Sequence, residues 1–309
     1  ENIFMSLFET WSGTLTIPAL PPDQIMVGKN KVSHQPSSPF IAKARLFDEQ
    51  LRGYQALITD LPAPWDKIYL RSKGASKQQV DRGVLKLPSE IDMSTWSVET
   101  AFEWDDTSAI YNYIDTPEKV RGFWDGKFDF SGRWQSNDVE HLRPPQIGAI
   151  HAIEAHFAVG IKHEAATVVL PTGTGKTETM LATLVSQSPV KLLVLVPSDV
   201  LRSQIGGKFE TLGLLRKLGH IPPYVFNPKV GFLKSGIHSL AEAKNLVEEC
   251  NVIIALPHTL AACGKGIAEL ICSSCDQIFV DEAHHVSASS WQRVVQLFEN
   301  KKIVQFTAT

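Results

Sequence analysis

One glycine-rich turn constrains this 309-residue chain more than any other feature. Val168-Val169-Leu170 reads as the end of a buried strand, and Pro171-Thr172-Gly173-Thr174-Gly175 turns the chain. Lys176-Thr177 then opens a helix expected over residues 179–185. Glycines let backbone N–H groups approach an anion with no Cβ in the way, and a helix N-terminus adds partial positive charge. Such a turn is a phosphate cradle. Lys176 is placed to reach the β- and γ-phosphates of a nucleotide, and the Thr177 hydroxyl to hold Mg²⁺. Thr172, Gly173, Thr174, Gly175 and Glu178 complete the expected binding segment. The general pattern has glycine where this chain has Leu170, but the run from Gly173 to Thr177 is intact.

A second stretch narrows the class. Gln277-Ile278-Phe279-Val280 is another apolar strand, and Asp281-Glu282-Ala283-His284-His285 follows it. Asp281 is expected to hold Mg²⁺ and Glu282 to orient an attacking water. Phosphoryl transfer needs both, because positioning and charge neutralisation supply most of its catalysis. An acid pair after a strand is a weak signal alone and a strong one beside the glycine turn.

Leu-Pro-Thr-Gly-Thr-Gly-Lys-Thr, Asp-Glu-Ala-His and Thr307-Ala308-Thr309 resemble motifs I, II and III of superfamily 2 helicases of the DEAH type. The resemblance covers residues 140–309 and implies a first RecA-like domain. In that family the position of Leu170 is often not glycine. The resemblance implies ATP and Mg²⁺ as cofactors. It also implies that His284 couples the acid pair to Thr307 and Thr309, which sense the γ-phosphate. It assigns Arg143 and Gln146 to the adenine, the Gln146 amide matching a donor and an acceptor on the base edge. Pro197-Ser198-Asp199-Val200-Leu201-Arg202-Ser203-Gln204 resembles motif Ia and Pro257-His258-Thr259-Leu260 motif Ib. Ser198, Arg202 and Thr259 are the nucleic-acid contacts this implies.

Apolar runs at 166–170, 192–196, 251–256, 277–280 and 303–306 alternate with helical stretches. That pattern predicts an α/β fold with a parallel sheet covered on both faces, its ligand beyond the strands' C-terminal ends. The expected fold class is thus a RecA-like P-loop domain over 136–309, preceded by a small α+β accessory domain within 1–135. The first 140 residues carry 15 basic and 20 acidic side chains and the remainder 15 and 13, or −5 and +2. Neither is the broad basic footprint of an electrostatic nucleic-acid binder. The chain opens on Glu1, stops at the third motif, and is expected to be a piece of a longer protein. No apolar run reaches the ~20 residues that span a bilayer. Four cysteines without a visible leader fit a reducing cytoplasm. Cys272-Ser-Ser-Cys275, with Cys263 and His258 upstream, suits buried reduced thiols better than zinc.

Residues 1–135 carry no recognised motif but hold six of the seven tryptophans. A helix is expected over 46–59, strands at 67–70 and 83–87, and a Thr116-capped helix with Pro117 in its first turn. Residues 18–39, broken by prolines, read as an irregular arm. The basic loop Arg71, Lys73, Lys77 fits a solvated loop or a phosphate contact. The tryptophans fit core packing or a protein partner before base stacking.

The favoured function is the N-terminal part of an ATP-dependent helicase or translocase on DNA, favoured over RNA, of a bacterial restriction or phage-defence system. Without the second RecA-like domain and its arginine fingers, this stretch is expected to hydrolyse ATP poorly and to unwind nothing. Two alternatives stand beside it. One is an ATP-driven motor on a non-nucleic substrate. The other is a scaffold whose first 135 residues recruit an effector such as a nuclease.

Overall fold

The computed structural model describes residues 12–47, 49, 51–86, 102–134, 140–160, 164–282, 296–298 and 301–308. In chain order the elements are β1 (Ser12–Ile17), β2 (Asp23–Val27), β3 (Asn30–His34), β4 (Phe40–Phe47), β5 (Tyr54–Thr59), β6 (Lys67–Arg71), β7 (Val84–Lys86) and β8 (Glu103–Asp106). Then come α1 (Ser108–Tyr113), α2 (Pro117–Gly122), α3 (Pro144–Ala158), β9 (Ala166–Val169), α4 (Lys176–Gln187), β10 (Leu192–Leu195), α5 (Asp199–Phe209) and β11 (Val230–Leu233). The last are α6 (Leu240–Glu249), β12 (Val252–Ala255), α7 (Pro257–Ala261), α8 (Lys265–Ser274), β13 (Gln277–Asp281) and β14 (Lys302–Thr307).

Two compact units result. One comprises the segment ending at Pro21 and Ser37–Asp115; the other is Pro22–Pro36 with Thr116–Thr309. This differs from a division at residue 135, because Pro22–Pro36 and Thr116 onward belong with the C-terminal unit.

The first unit is a six-stranded sheet ordered β1-β4-β5-β6-β7-β8, antiparallel except for the β6–β7 pair. The helix expected over 46–59 is absent. Residues 40–44 alternate buried and exposed, so β4 is a one-sided strand. The chain then turns through Gly53 (φ +80°) into β5. Apolar residues two apart on two strands had mimicked helical spacing. Gly53 is required twice, since a Cβ there would also sit 2.5 Å from Ala75 Cβ. Trp65 is fully buried and meets Phe40 edge-on at 5.1 Å between centroids, and Trp104 Nε1 donates to Pro18 O at 3.1 Å. Trp65 packs the core and half-buried Trp104 flanks it, 6.5 Å between ring centroids; Trp11 and Trp96 lie outside the described residues.

The second unit is an eight-stranded sheet ordered β2-β3-β11-β12-β10-β13-β14-β9. From β11 to β9 every pair is parallel. Strands β10, β11, β12 and β13 are buried at every residue, as the continuous apolar runs at 192–196, 251–256 and 277–280 require. β11, outside the apolar runs read from the sequence, is a further parallel strand, paired with β12. Helix α2 starts at the expected cap, with Thr116 Oγ1 accepting from Lys119 N at 3.3 Å.

The N-terminal arm is where structure departs most from sequence. β2 and β3 form a hairpin, and β3 runs antiparallel to β11, closing the edge of the parallel sheet. Asn30 Oδ1 accepts from Lys234 N (2.7 Å) and Ser235 N (3.0 Å). Asn227 N donates to Pro36 O at 2.8 Å.

His34 Nε2 donates to Asn227 O at 2.9 Å from a buried position. Burial is the largest influence on it. With a smaller push from Lys229, it outweighs the Asn227 bond and Asp23 and brings the imidazole down from 6.5 to about 4. The unfolded chain therefore takes up a proton before the folded one does. The stability gained by keeping His34 neutral is full above pH 6.5 and is lost as pH falls toward 4, on the order of 3 kcal/mol in all. Urea unfolding at pH 7 and pH 4.5 should show that loss in the parent and much less of it in His34→Gln. Equal losses in both would remove His34 as the cause.

Candidate nucleotide site

The cradle forms where β9 ends. Leu170 N donates to Thr307 O at 2.9 Å, which ties the start of the loop to β14. Thr174 then closes a turn on Pro171 O, through its N–H at 3.1 Å and its hydroxyl at 2.6 Å. Gly173 (φ +80°) and Gly175 (φ +93°) carry the left-handed conformations the turn needs. A Cβ on Gly173 would meet nothing within 4 Å, so that side of the loop is open. α4 begins at Lys176, three residues earlier than its apolar pattern suggested, with Gly175 as N-cap.

Gln146 and Arg143 brace this loop from α3. Gln146 Nε2 donates to Gly175 O at 2.9 Å while its Oε1 accepts from Arg143 N at 2.8 Å. Arg143 Nη1 donates to Gly173 O at 3.4 Å. A Cβ on Gly175 would lie 2.3 Å from Gln146 Nε2, so the glycine is required by packing as well as by φ. The adenine-reading edge expected of Gln146 is here 4% exposed and hydrogen-bonded to backbone at both ends.

The opposite shore is the end of β13. Asp281 is 2% exposed and stands in register with Phe306 on β14. Glu282 follows in a left-handed conformation (φ +50°) that a non-glycine residue rarely adopts. Its N–H donates to Phe306 O at 2.9 Å, which holds that turn in place. Lys176 Nζ lies 3.0 Å from Asp281 Oδ1 and in contact with Glu282 Oε1. Burial pushes the Asp281 carboxyl up, and the Lys176 ammonium only partly offsets it. Burial acts to lower Lys176, but Glu282 and Asp281 together outweigh it and raise the ammonium. One lysine thus faces two carboxylates, leaving an excess negative charge.

That excess suits a divalent cation. Asp281 Oδ1, although close to Lys176, accepts no well-directed hydrogen bond among the described residues. A carboxylate and the Thr177 hydroxyl are the hard oxygen donors that Mg²⁺ prefers. The other loop residues divide. Thr172 is exposed and Thr177 half-buried at the cradle, while Glu178 turns away to Lys208 at 3.5 Å.

The expected nucleic-acid contacts fare differently. Ser198 caps α5, its hydroxyl accepting from Leu201 N at 3.3 Å. Arg202 is 6% exposed, its Nη1 donating to Leu233 O at 2.9 Å and its Nη2 pairing with Asp199 at 2.7 Å. Thr259 is also inside, 6% exposed on α7. Both follow from strand-end helices that must cover the sheet. Thr307 reaches the cradle through its backbone, and His284 and Thr309 lie outside the described residues.

Two further features complete this region. Sequence reasoning passed over His220, whose Nε2 accepts from Leu142 N at 2.9 Å while Nδ1 donates to Asp129 O at 2.7 Å. Those bonds fix a neutral ring and anchor the segment entering α3; a lone histidine in a loop gives no sequence signal of this. Cys272 and Cys275 are buried, and burial pushes Cys272 up to about 12 and Cys275 higher, keeping both thiols protonated. Among the described residues no group of three His, Cys, Asp or Glu is placed to hold a metal. Among the same residues no helix is long and apolar enough to cross a membrane.

Residues 140–309, more than half of the chain, match the family of type III restriction enzyme res subunits, ResIII. The chain belongs to the ResIII family. No curated protein matches it. Solved structures resembling this ResIII chain include a hypothetical ATP-dependent RNA helicase from Sulfolobus tokodaii, at 20% identity and TM-score 0.40, covering 56% of this chain and 47% of that one. The UvsW helicase of bacteriophage T4 aligns at 14% identity and TM-score 0.38, over 62% and 60%. The Type ISP restriction-modification enzyme LlaGI aligns at 20% and 0.34, over 55% and 18%. The ResIII chain spans less than two thirds of each of these proteins.

Proposed function

We propose that this chain is the ATP-binding part of a nucleic-acid helicase or translocase, its second unit the first RecA-like domain of a DEAH-type motor. One observation carries the reading. Lys176, on a left-handed glycine turn, faces Asp281 and Glu282 at the C-terminal end of a parallel strand. ResIII membership supports the polymer substrate.

In this reading Lys176 leaves the acid pair to meet the β- and γ-phosphates. Asp281 and Thr177 would hold Mg²⁺, which would supply neutralisation of phosphate charge when bound. Glu282, freed from the lysine, orients water for in-line attack. Thr172, Gly173, Thr174 and Gly175 line the phosphates with backbone N–H groups, and Arg143 and Gln146 fix the loop and border the base. The N-terminal turn of α5 at Ser198 faces the nucleic-acid strand, and His284, Thr307 and Thr309 transmit the state of the γ-phosphate. DNA is favoured over RNA, in a cytoplasmic restriction or phage-defence system, with the first unit serving nucleic acid or a protein effector.

The test is ATP turnover and nucleotide affinity with single-stranded DNA, duplex DNA and RNA, in the parent and in Glu282→Gln. Stimulation by one polymer, lost in the variant while nucleotide affinity stays, is the expected result. Turnover indifferent to all three polymers would move the assignment to a motor on another substrate or to a recruiting scaffold.

A further inference from the structure

The first unit leaves one of its faces chemically unsatisfied. Along β4 the inward residues Phe40, Ala42 and Ala44 are buried. The outward residues are Ile41 (56% exposed), Lys43, Arg45 and Phe47 (41% exposed). On the neighbouring β1, Thr14 lies opposite Lys43 and Ser12 opposite Arg45. On the other side Ile58 of β5 lies opposite Arg45. Ser12, Thr14, Lys43, Arg45, Ile58 and Asp60 are among the residues that line an open trough of about 630 Å³, and Phe47 lies beyond it on the same strand.

Several of the sheet's other cations are committed to carboxylates. Lys67 pairs with Glu49 at 3.2 Å, Arg71 with Asp105 at 2.7 Å and Arg82 with Asp66 at 2.8 Å. Lys77 also approaches Asp105, at 3.9 Å. In the loop that looked basic in sequence, Arg71 and Lys77 thus share one carboxylate, and Lys73 has no ion pair among the described residues. Lys43 and Arg45 make no ion pair or hydrogen bond among the described residues, and Asp60 is the one acid lining the trough. Alternate residues of a strand stand about 7 Å apart on the same face. Two uncommitted cations thus follow one line, with hydroxyls beside them and an exposed aromatic ring at the end.

We propose that this β1–β4 face is a second nucleic-acid track, outside the ATP-bearing unit. Lys43 and Arg45 neutralise successive phosphates of one strand, Ser12 and Thr14 donate hydroxyl hydrogen bonds to the same backbone, and Phe47 stacks on a base. Every base has a π-face and every nucleotide a phosphate, so the track grips without reading sequence. The inference rests on the nucleic-acid reading above and gives the first unit its role within it.

The experiment uses the whole chain and a fluorescein-labelled oligothymidine, followed by anisotropy between 50 and 200 mM salt. Removing one phosphate-neutralising side chain should reduce the slope of log K on log salt by about 0.7 for a single strand. The Lys43→Gln/Arg45→Gln double variant should therefore lose about 1.4 in slope and on the order of tenfold in affinity near 100 mM salt. Phe47→Ala should weaken binding with the slope unchanged. Nucleotide affinity and the urea midpoint, read on the same samples, should match the parent, showing that the sheet is intact. A parent that binds oligothymidine with a slope the double variant shares would overturn the track and leave the ATP-site reading standing. A parent that binds no nucleic acid would overturn both. Displacement of the oligonucleotide by poly-glutamate at equal charge concentration would overturn the track in favour of an acidic protein.

Discussion

Lys176→Ala should lower ATP turnover by on the order of 10²–10³, the usual cost of removing one charge-stabilising donor from a phosphoryl- or acyl-transfer site. The structure adds a second consequence, in stability. Asp281 is 2% exposed and shares its cation with Glu282. With the ammonium gone, a buried carboxylate is left beside another negative charge. Breaking a buried pair from one side costs about 3–5 kcal/mol. The sign with pH follows from the direction of the Asp281 shift, which burial raises above its unfolded value. A group raised in the folded state favours folding when protonated, and that contribution is lost as pH rises through the folded value. Lys176→Ala should therefore be most destabilised at pH 8 and least at pH 5. Urea midpoints at those two pH values, with single-turnover hydrolysis at pH 8, check both parts. A variant that turns over ATP like the parent would remove Lys176 from the site. A stability loss independent of pH would remove the buried-carboxylate account.

Excising residues 22–36 should cost more than any single substitution. The hairpin closes the β11 edge, and an open edge next to fully buried strands is a template for pairing with another chain. Val27 and Val32 are buried in the same cluster as Leu233, Leu246 and Ile253. Burying each valine contributes about 1.5–3 kcal/mol. The Asn30 caps on Lys234 and Ser235 and the His34–Asn227 bond go with them. The total rivals the ~5–15 kcal/mol that holds a domain folded. A protein begun at residue 136, where sequence alone would cut, loses the same hairpin and also α2, whose Pro117 O accepts from Asn251 Nδ2 at 2.7 Å. Both truncations should elute as aggregates or melt far below the parent. Size exclusion and thermal unfolding check this. A monomeric 136–309 fragment melting like the parent would show that the edge needs no cover.

Local chemistry carried much of the site into view. That the glycine turn, Lys176, Asp281 and Glu282 come together was readable because phosphate chemistry would demand those residue types at fixed spacing, and those constraints act within a few residues. The parallel strands were readable because a strand covered on both faces must be apolar throughout, as β10, β12 and β13 are. The error over residues 46–59 has the opposite cause. Two short strands around Gly53 presented spacings that a helix would also satisfy, and only pairing to β1 and β6 distinguishes them.

What the sequence by itself determined was a glycine turn at the end of one strand of a parallel α/β sheet, with an acid pair at the end of another, two strands away. Tertiary structure alone decided which polar groups face outward. It turned Arg202 and Thr259 into the interior, spent Gln146 on bracing the loop, and left Lys43 and Arg45 uncommitted. It also decided that an N-terminal hairpin belongs to a sheet whose partner strand lies some two hundred residues downstream. Strand pairing is made by backbone groups that every residue carries, so no side-chain pattern announces it. Only the edge left open by the rest of the fold selects the partner.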